Sequence, residues 1–247
     1  IGFRLAGNFG KMEGDDRLIK QKQPTDNWEG ARKYRNLTYR SPLYEAYAAI
    51  ELYPTAFFSV KNGWGLPRFR PYLIGGVGIF KFNPQGLYKS PSGSETWVDL
   101  KPLKLEGQGM PEYPYSKPYN LTQINIPYGG GLKYFASERI NISAEVLYRK
   151  TFTDYIDDVS TRYIDPNNYN KYLSAQDAAL AYKLSDKSVG IIYPGMTRYP
   201  ADTQRGDLKD ADTYFTIVLK LGIRLGEIYD SPFARRAAKQ TKCPAIY

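Results

Sequence analysis

The chain has 247 residues, a net charge of +9, no histidine and a single cysteine, Cys243. The lack of histidine excludes Ser-His and Asp-His hydrolytic machinery and removes the commonest transition-metal ligand. No stretch approaches the roughly 18 uninterrupted apolar residues of a membrane helix, because the longest apolar run, 72–80, contains three glycines. A helical membrane protein is therefore excluded. The positive charge suits an acidic partner or an anionic membrane surface, or is an ordinary excess of solvated lysine.

Six segments alternate apolar and polar residues with the period of two that a β-strand requires. In the last of them, Ile217, Leu219 and Leu221 face one way and Lys220 faces the other. One face is apolar enough for lipid and the other is charged, which predicts an all-β fold, an antiparallel transmembrane β-barrel. The six segments, each near or above the roughly 9–11 residues that a tilted membrane strand needs, are 1–12, 37–54, 69–83, 122–136, 139–152 and 212–226.

The connections between these segments alternate in length. Ser137 and Glu138 form a predicted hairpin turn, and the connection 55–68 is of moderate length. Outer-membrane barrels have short periplasmic turns and long external loops, so the long connections are predicted to be extracellular. These long connections are 13–36, 84–121 and 153–211. We therefore predict a barrel over 1–226 and a periplasmic tail over 227–247.

Six strands are too few for a complete barrel of this class. Single-chain outer-membrane barrels begin at about eight strands. We therefore predict eight strands, of which the first two precede Ile1. A barrel that closes with only six strands would contradict this prediction.

The predicted inward face carries charges of both signs. Because buried charges need partners, we expect a lumen filled by salt bridges and hydrogen bonds rather than a water channel. The predicted lumen residues are Arg4, Glu45, Glu51, Lys133, Glu145, Arg149, Lys220 and Arg224. Aromatic residues near the strand ends predict girdles at the membrane interfaces. They are Tyr44, Tyr53, Phe82, Tyr134, Phe135, Phe152, Tyr214 and Phe215.

The acidic stretch 153–167 is the strongest candidate for a metal or catalytic site. Oxygen-rich loops can bind Ca²⁺, but the spacing fits no EF-hand, and local hydrogen bonding by the aspartates is the simpler interpretation. No nucleophile or oxyanion donor accompanies these carboxylates, so we predict no catalytic residue, no metal site and no cofactor. The glycine runs 75–78 and 129–131 lie within strands and lack the Lys-Ser/Thr of a phosphate loop, which indicates close backbone approach.

The tail 227–247 is basic and continues after the last strand. A docking segment is one interpretation, in which cations attract a partner and an aromatic side chain anchors it. A disordered basic tail is the alternative. Cys243 is a candidate for an intermolecular disulfide. The predicted docking residues are Phe233, Arg235, Arg236, Lys239, Lys242 and Cys243.

Several stretches resemble the PorG-like outer-membrane barrels of the Bacteroidetes type IX secretion system. The most specific is Thr-Asp-Tyr-Ile-Asp-Asp-Val-Ser at 153–160, within the longer stretch 148–160. The others are 70–84, 105–109, 123–129 and 205–207. The resemblance implies a non-enzymatic component of this protein-secretion machinery, located in the bacterial outer membrane among its lipids. It implies association with a periplasmic ring of the PorK lipoprotein and PorN, without nucleic acid or a small-molecule substrate.

Two further classes of protein fit parts of the pattern. A generic small outer-membrane barrel, acting in adhesion or envelope integrity, has the same polar lumen but does not need the tail. A binding barrel of lipocalin type has an apolar interior instead, and is extracted without detergent. A lipid-modifying enzyme is the weakest alternative because the chain has no histidine.

Overall fold

The structure, a computed structural model, describes residues 1–19, 35–55, 68–137, 139–188, 198–207 and 210–225. The predicted docking residues Phe233, Arg235, Arg236, Lys239, Lys242 and Cys243 lie outside the described residues, as do Glu138 and most of the connection 55–68. In the described part of the chain, no helix has the length and apolar character needed to cross a membrane.

Eight strands form a single antiparallel sheet in the described part of the chain. This confirms the predicted antiparallel β-structure. The six long strands are β1 (Gly2–Asp15), β2 (Thr38–Leu52), β3 (Phe69–Phe82), β6 (Thr122–Phe135), β7 (Ile140–Thr151) and β8 (Thr213–Ile223). They occupy the six predicted segments. The two short strands are β4 (Gln85–Lys89) and β5 (Glu95–Asp99).

The long strands pair in the order β1-β2-β3-β6-β7-β8, and the sheet curls into a half-barrel. The hairpin of β4 and β5 extends the sheet beside the start of β2. Among the described residues, β1 pairs only with β2 and β8 pairs only with β7. The row of six long strands therefore has two free edges here, at β1 and β8, and closure into an eight-stranded barrel stays a prediction.

The three long connections emerge at the same end of the sheet, and two of them contain strands or helices that were not predicted from the sequence. The hairpin of β4 and β5 lies in 84–121, and the helices α1 (Tyr169–Tyr172) and α2 (Ala175–Ser185) lie in 153–211. Ser174 caps the start of helix α2, and its hydroxyl accepts a hydrogen bond from the Asp177 amide. These elements pack around one apolar core, and we call them the outer unit. Its buried core residues are Leu100, Leu103, Leu105, Met110, Tyr113, Ile164, Tyr169, Ala178, Ala181 and Leu184.

Gly76 permits close approach of β3 to β2. A Cβ atom at this position would overlap the Ala48 carbonyl oxygen and lie 2.7 Å from the Ala49 Cα atom. Both contacts are with backbone, so a larger side chain can be accommodated only if the strands separate. The neighbouring Gly75 faces the opposite side, where a Cβ atom would meet nothing within 4 Å.

We expect Gly76→Ala to impair assembly of the sheet, whereas Gly75→Ala leaves it intact. The two positions are adjacent in one strand, so the pair of variants separates backbone contact from any general effect of losing a glycine. The folded fraction is measured as the band that migrates differently with and without heating on a gel. Equal folded fractions for the two variants would contradict the packing role of Gly76.

Candidate functional site

Two groups of charged side chains lie on the concave face of the sheet. The lower group, near the end of the sheet where β1 begins, centres on Glu51 and Glu145. Arg4 lies 2.5 Å from Glu51 and 2.7 Å from Glu145. Lys220 lies 2.5 Å from Glu145, and Lys133 lies 3.7 Å from Glu51. Three cations thus share two carboxylates, and the group links β1 and β2 to β6, β7 and β8.

The upper group surrounds the carboxylate of Glu45. The Arg149 guanidinium lies 3.1 Å from it, and the side chains of this pair are 2% and 1% exposed. The amides of Asn8 and Asn125 each donate to Glu45 at 2.7 Å. Removing a charge from water is tolerable only when it is paired and hydrogen-bonded, and this carboxylate has three donors.

Apolar side chains separate and cap the two charged groups. The layer between them consists of Tyr47, Ala49, Ile74 and Leu147. The layer above them consists of Leu43, Phe80, Phe82, Tyr119 and Ile156. In this upper layer the rings of Tyr119 and Tyr155 stack with centroids 4.4 Å apart. The described part of the concave face is thus filled by its own side chains, as in narrow barrels.

The structure brings seven of the eight predicted lumen residues into these two groups. The eighth, Arg224, lies one residue beyond β8 with an exposed side chain. The neutral partner Tyr72 was not predicted, although its hydroxyl donates to Glu145 at 2.7 Å. Its position in the alternation of β3 places its side chain on the concave face. A tyrosine occurs on either face of a strand, so its residue type alone does not indicate this position.

Three of the aromatic residues predicted for the interfacial girdles point inward instead. Phe82 is fully buried in the upper apolar layer. The Tyr53 hydroxyl donates to Glu51, and the Tyr214 hydroxyl accepts from Asn125. Proximity to a strand end therefore does not determine the face on which an aromatic side chain lies. Parity along the strand does.

The convex face of the sheet is apolar and exposed. Leu219 is 79% exposed, whereas Glu145 on the concave face of the adjacent strand is only 2% exposed. The rings of Tyr128, Tyr148 and Phe215 follow one another across three strands of this face, with centroids 6.0 and 5.5 Å apart. This polarity is the reverse of that in a water-soluble protein, where large apolar side chains collect inside. Other exposed apolar side chains of this face are Phe3, Leu5, Phe9, Val77, Ile124, Ile217, Leu221 and Ile223.

A buried ion pair between Glu106 and Arg205 joins the loops of the outer unit. The two side chains lie 2.8 Å apart and are 0% and 1% exposed. The Glu106 carboxylate also accepts hydrogen bonds from the amides of Ser160, at 3.0 Å, and Thr161, at 2.8 Å. Arg35 donates to the Arg205 carbonyl at 3.1 Å, which adds a fourth chain segment.

This ion pair was not predicted from the sequence. Glu106, Ser160 and Arg205 belong to three of the stretches that carry the family resemblance, but those stretches are far apart in the chain. A buried pair between distant loops has no local pattern, since neither residue is constrained by the period of a strand or helix. Only folding of the long connections brings the three stretches together.

Three carboxylates have raised pKa values: Asp154 and Asp158 belong to the acidic stretch, and Asp212 directly precedes β8. Burial raises the pKa of Asp154 to about 8, with a further contribution from the charges of Asp212 and Asp157. Burial also raises the pKa of Asp158 to about 7 and that of Asp212 to about 7. In the described part of the chain, no three acidic, cysteine or histidine side chains converge to hold a metal ion.

We expect the outer unit to lose stability as the pH rises from about 4 towards about 8. An aspartate with a raised pKa in the folded state binds more protons there than in the unfolded chain, so deprotonation favours unfolding. Asp212→Asn should flatten this dependence, whereas the exposed substitution Asp202→Asn should not. Thermal unfolding or hydrogen exchange between pH 5 and about pH 8 measures the slope. If Asp212→Asn leaves the slope of stability against pH unchanged, the raised pKa of Asp212 is not a cause of the pH dependence.

The fold and the polarity of its faces define a curled antiparallel half-barrel with a charged, filled concave face and an apolar convex face. Comparisons with protein-family models, with curated proteins and with solved structures found no match to this chain.

Proposed function

We propose that this protein is an outer-membrane β-barrel. The observation that carries the proposal is the reversed polarity of the sheet, with exposed leucine, isoleucine and phenylalanine outside and paired charges inside. Lipid stabilises such an exterior, whereas water does not. Backbone groups at a free strand edge cannot face lipid without partners. We therefore include in the proposal two further strands that pair with β1 and β8 and complete an eight-stranded barrel.

We further propose that the barrel is a non-enzymatic anchor in type IX protein secretion, and that it docks the periplasmic PorK–PorN ring to the outer membrane. The resemblance of the stretches given above supports this assignment. The filled concave face favours an anchor over a pore, because salt bridges and apolar layers occupy the space that a channel needs. In this proposal the basic tail 227–247 lies in the periplasm and contacts the ring.

A generic small outer-membrane barrel for adhesion or envelope integrity is the second candidate function. The folded outer unit favours it, since a purely periplasmic task needs no compact structure at the opposite end of the sheet. The two candidates differ in what the tail does.

The test is a pull-down from membranes solubilised in mild detergent, with the full chain and with a chain lacking 227–247. Loss of PorK and PorN only from the truncated chain is the expected result. Cys243→Ser and a non-reducing gel test for a disulfide with the partner. A charge contribution from Arg235, Arg236, Lys239 and Lys242 predicts weaker capture at higher salt. Equal capture by both chains would remove the tail from the interface, and no capture by either would favour the generic barrel.

A further inference from the structure

A basic cleft on the outer unit belongs to neither the charged concave face nor the buried ion pair. Its volume is about 520 Å³, and it lies between the end of β4, helix α2 and the turn that follows β1. Among the residues that the structure describes, five cationic side chains and one acidic residue line it. The cationic residues are Arg17, Lys89, Lys183, Lys187 and Arg198. This cleft, as defined by these residues, was not predicted from the sequence.

Two of the five cations are already paired with carboxylates. Arg17 lies 2.5 Å from Asp15, and Lys89 lies 2.6 Å from Glu95. The acidic residue in the lining, Asp186, turns its two carboxylate oxygens towards the backbone amides of residues 188 and 199. These pairs leave three cations of the cleft for which the described residues supply no ion-pair partner.

The three remaining cations are held in place by neutral groups. Lys183 donates to the Tyr88 hydroxyl at 3.1 Å, and Lys187 donates to the Leu87 carbonyl at 2.6 Å. Arg198 donates to the Tyr182 carbonyl at 2.5 Å, and its guanidinium lies 4.2 Å from the centroid of the Tyr182 ring. Such contacts orient cations without neutralising them, so their charge is available to an anion.

Lys187 is a half-buried cation of the cleft. Burial lowers the pKa of its ammonium to about 8, and the charge of Arg17 lowers it further, while the charges of Asp15 and Asp16 oppose this shift. A partly desolvated cation beside other cations is unfavourable by itself. An anion in the cleft would relieve both causes.

The position of the cleft relative to the apolar convex face indicates the source of that anion. Phe9 is the last outward apolar side chain of β1, and Arg17 lies eight residues further along the chain. At about 3.4 Å per residue, roughly 27 Å of chain separates them at full extension, and less in height if the strand is tilted. The cleft thus begins at most roughly 27 Å beyond the apolar surface, on the side where the headgroup sugars lie if that surface is in lipid.

We propose that the cleft binds the phosphorylated sugars of an outer-leaflet glycolipid. Lys183, Lys187 and Arg198 contact the phosphate, which accepts charge-assisted hydrogen bonds. The exposed ring of Tyr182 and the half-buried side chain of Leu87 contact the sugar. This inference rests on the proposed location in the outer membrane.

The test is calorimetric titration of the full chain in neutral detergent with the phosphorylated oligosaccharide released from lipopolysaccharide. Saturable binding is expected, with affinity at least roughly tenfold lower for the enzymatically dephosphorylated oligosaccharide. Lys183→Gln, Lys187→Gln and Arg198→Gln should each lower affinity roughly tenfold. Lys117→Gln, an exposed substitution on the outer unit away from the cleft, is the matched control and should not change affinity.

Three results would overturn the proposal. They are equal affinity for the phosphorylated and dephosphorylated sugars, equal affinity for inorganic phosphate, and tighter binding of a polyglutamate peptide, which would indicate a protein partner. Because the sugar is free of lipid, its binding does not depend on membrane insertion. If the sugar does not bind while the protein inserts normally into membranes and captures the ring, the glycolipid proposal is wrong and the proposed function stands.

Discussion

Leu219→Arg is expected to lower the free energy of unfolding from lipid vesicles by about 2–4 kcal/mol, because an arginine near the bilayer midplane loses its hydration. Leu219 lies near the middle of β8 and is 79% exposed on the convex face. Leu225→Arg is the matched control. It introduces the same side chain two residues beyond the end of β8, where the cost falls to about 0–1 kcal/mol.

The measurement is urea unfolding of the vesicle-inserted protein, monitored by tryptophan fluorescence. A difference between the two leucine positions tests depth in the membrane, since both side chains are exposed and both substitutions add one positive charge. Equal and small effects would indicate that the convex face is in water. The proposed membrane location would then be wrong, independently of the partner that the tail 227–247 binds.

Arg205→Met is expected to destabilise the outer unit by about 3–5 kcal/mol, because it leaves the Glu106 carboxylate buried without its cation. The two side chains are 1% and 0% exposed, so water cannot replace the guanidinium. The control, Lys171→Met, breaks a pair with Glu112 whose side chains are 59% and 36% exposed. Its expected effect on stability is small, because water screens an exposed pair.

Protease resistance of the outer unit, measured against urea concentration in the full chain, gives the change in stability. A second substitution separates charge from packing. Glu106→Gln in the Arg205→Met background should recover part of the loss, because a neutral amide oxygen can still accept from Thr161. If the double variant is no more stable than Arg205→Met, the buried charge is not the cause.

The six long strands were predictable from the sequence because their environment imposes a period of two along each of them. Alternation in 213–223 separates Phe215, Ile217 and Leu219 from Lys220, and the exposures of these side chains differ in the same sense. The inward position of Tyr72 was not predicted, because the ring and hydroxyl of a tyrosine suit either face of a strand. The interior partners of the predicted charges are therefore only partly visible in sequence.

The outer unit was not predictable in the same way. Its strands and helices are short, and the apolar residues of its core come from several connections, including Leu105, Ile164 and Ala181. Short elements gain their stability from tertiary packing rather than from their own pattern.

The sequence by itself determined the antiparallel strands, the polarity of their two faces and the absence of histidine chemistry, because each of these depends on residue type or on neighbours within one strand. Only the tertiary structure decided that Glu45 pairs with Arg149, that Glu106 pairs with Arg205, and that five cations line the basic cleft. The physical reason is that pairing across a curled sheet, or between distant loops, depends on the register and curvature that the whole chain adopts.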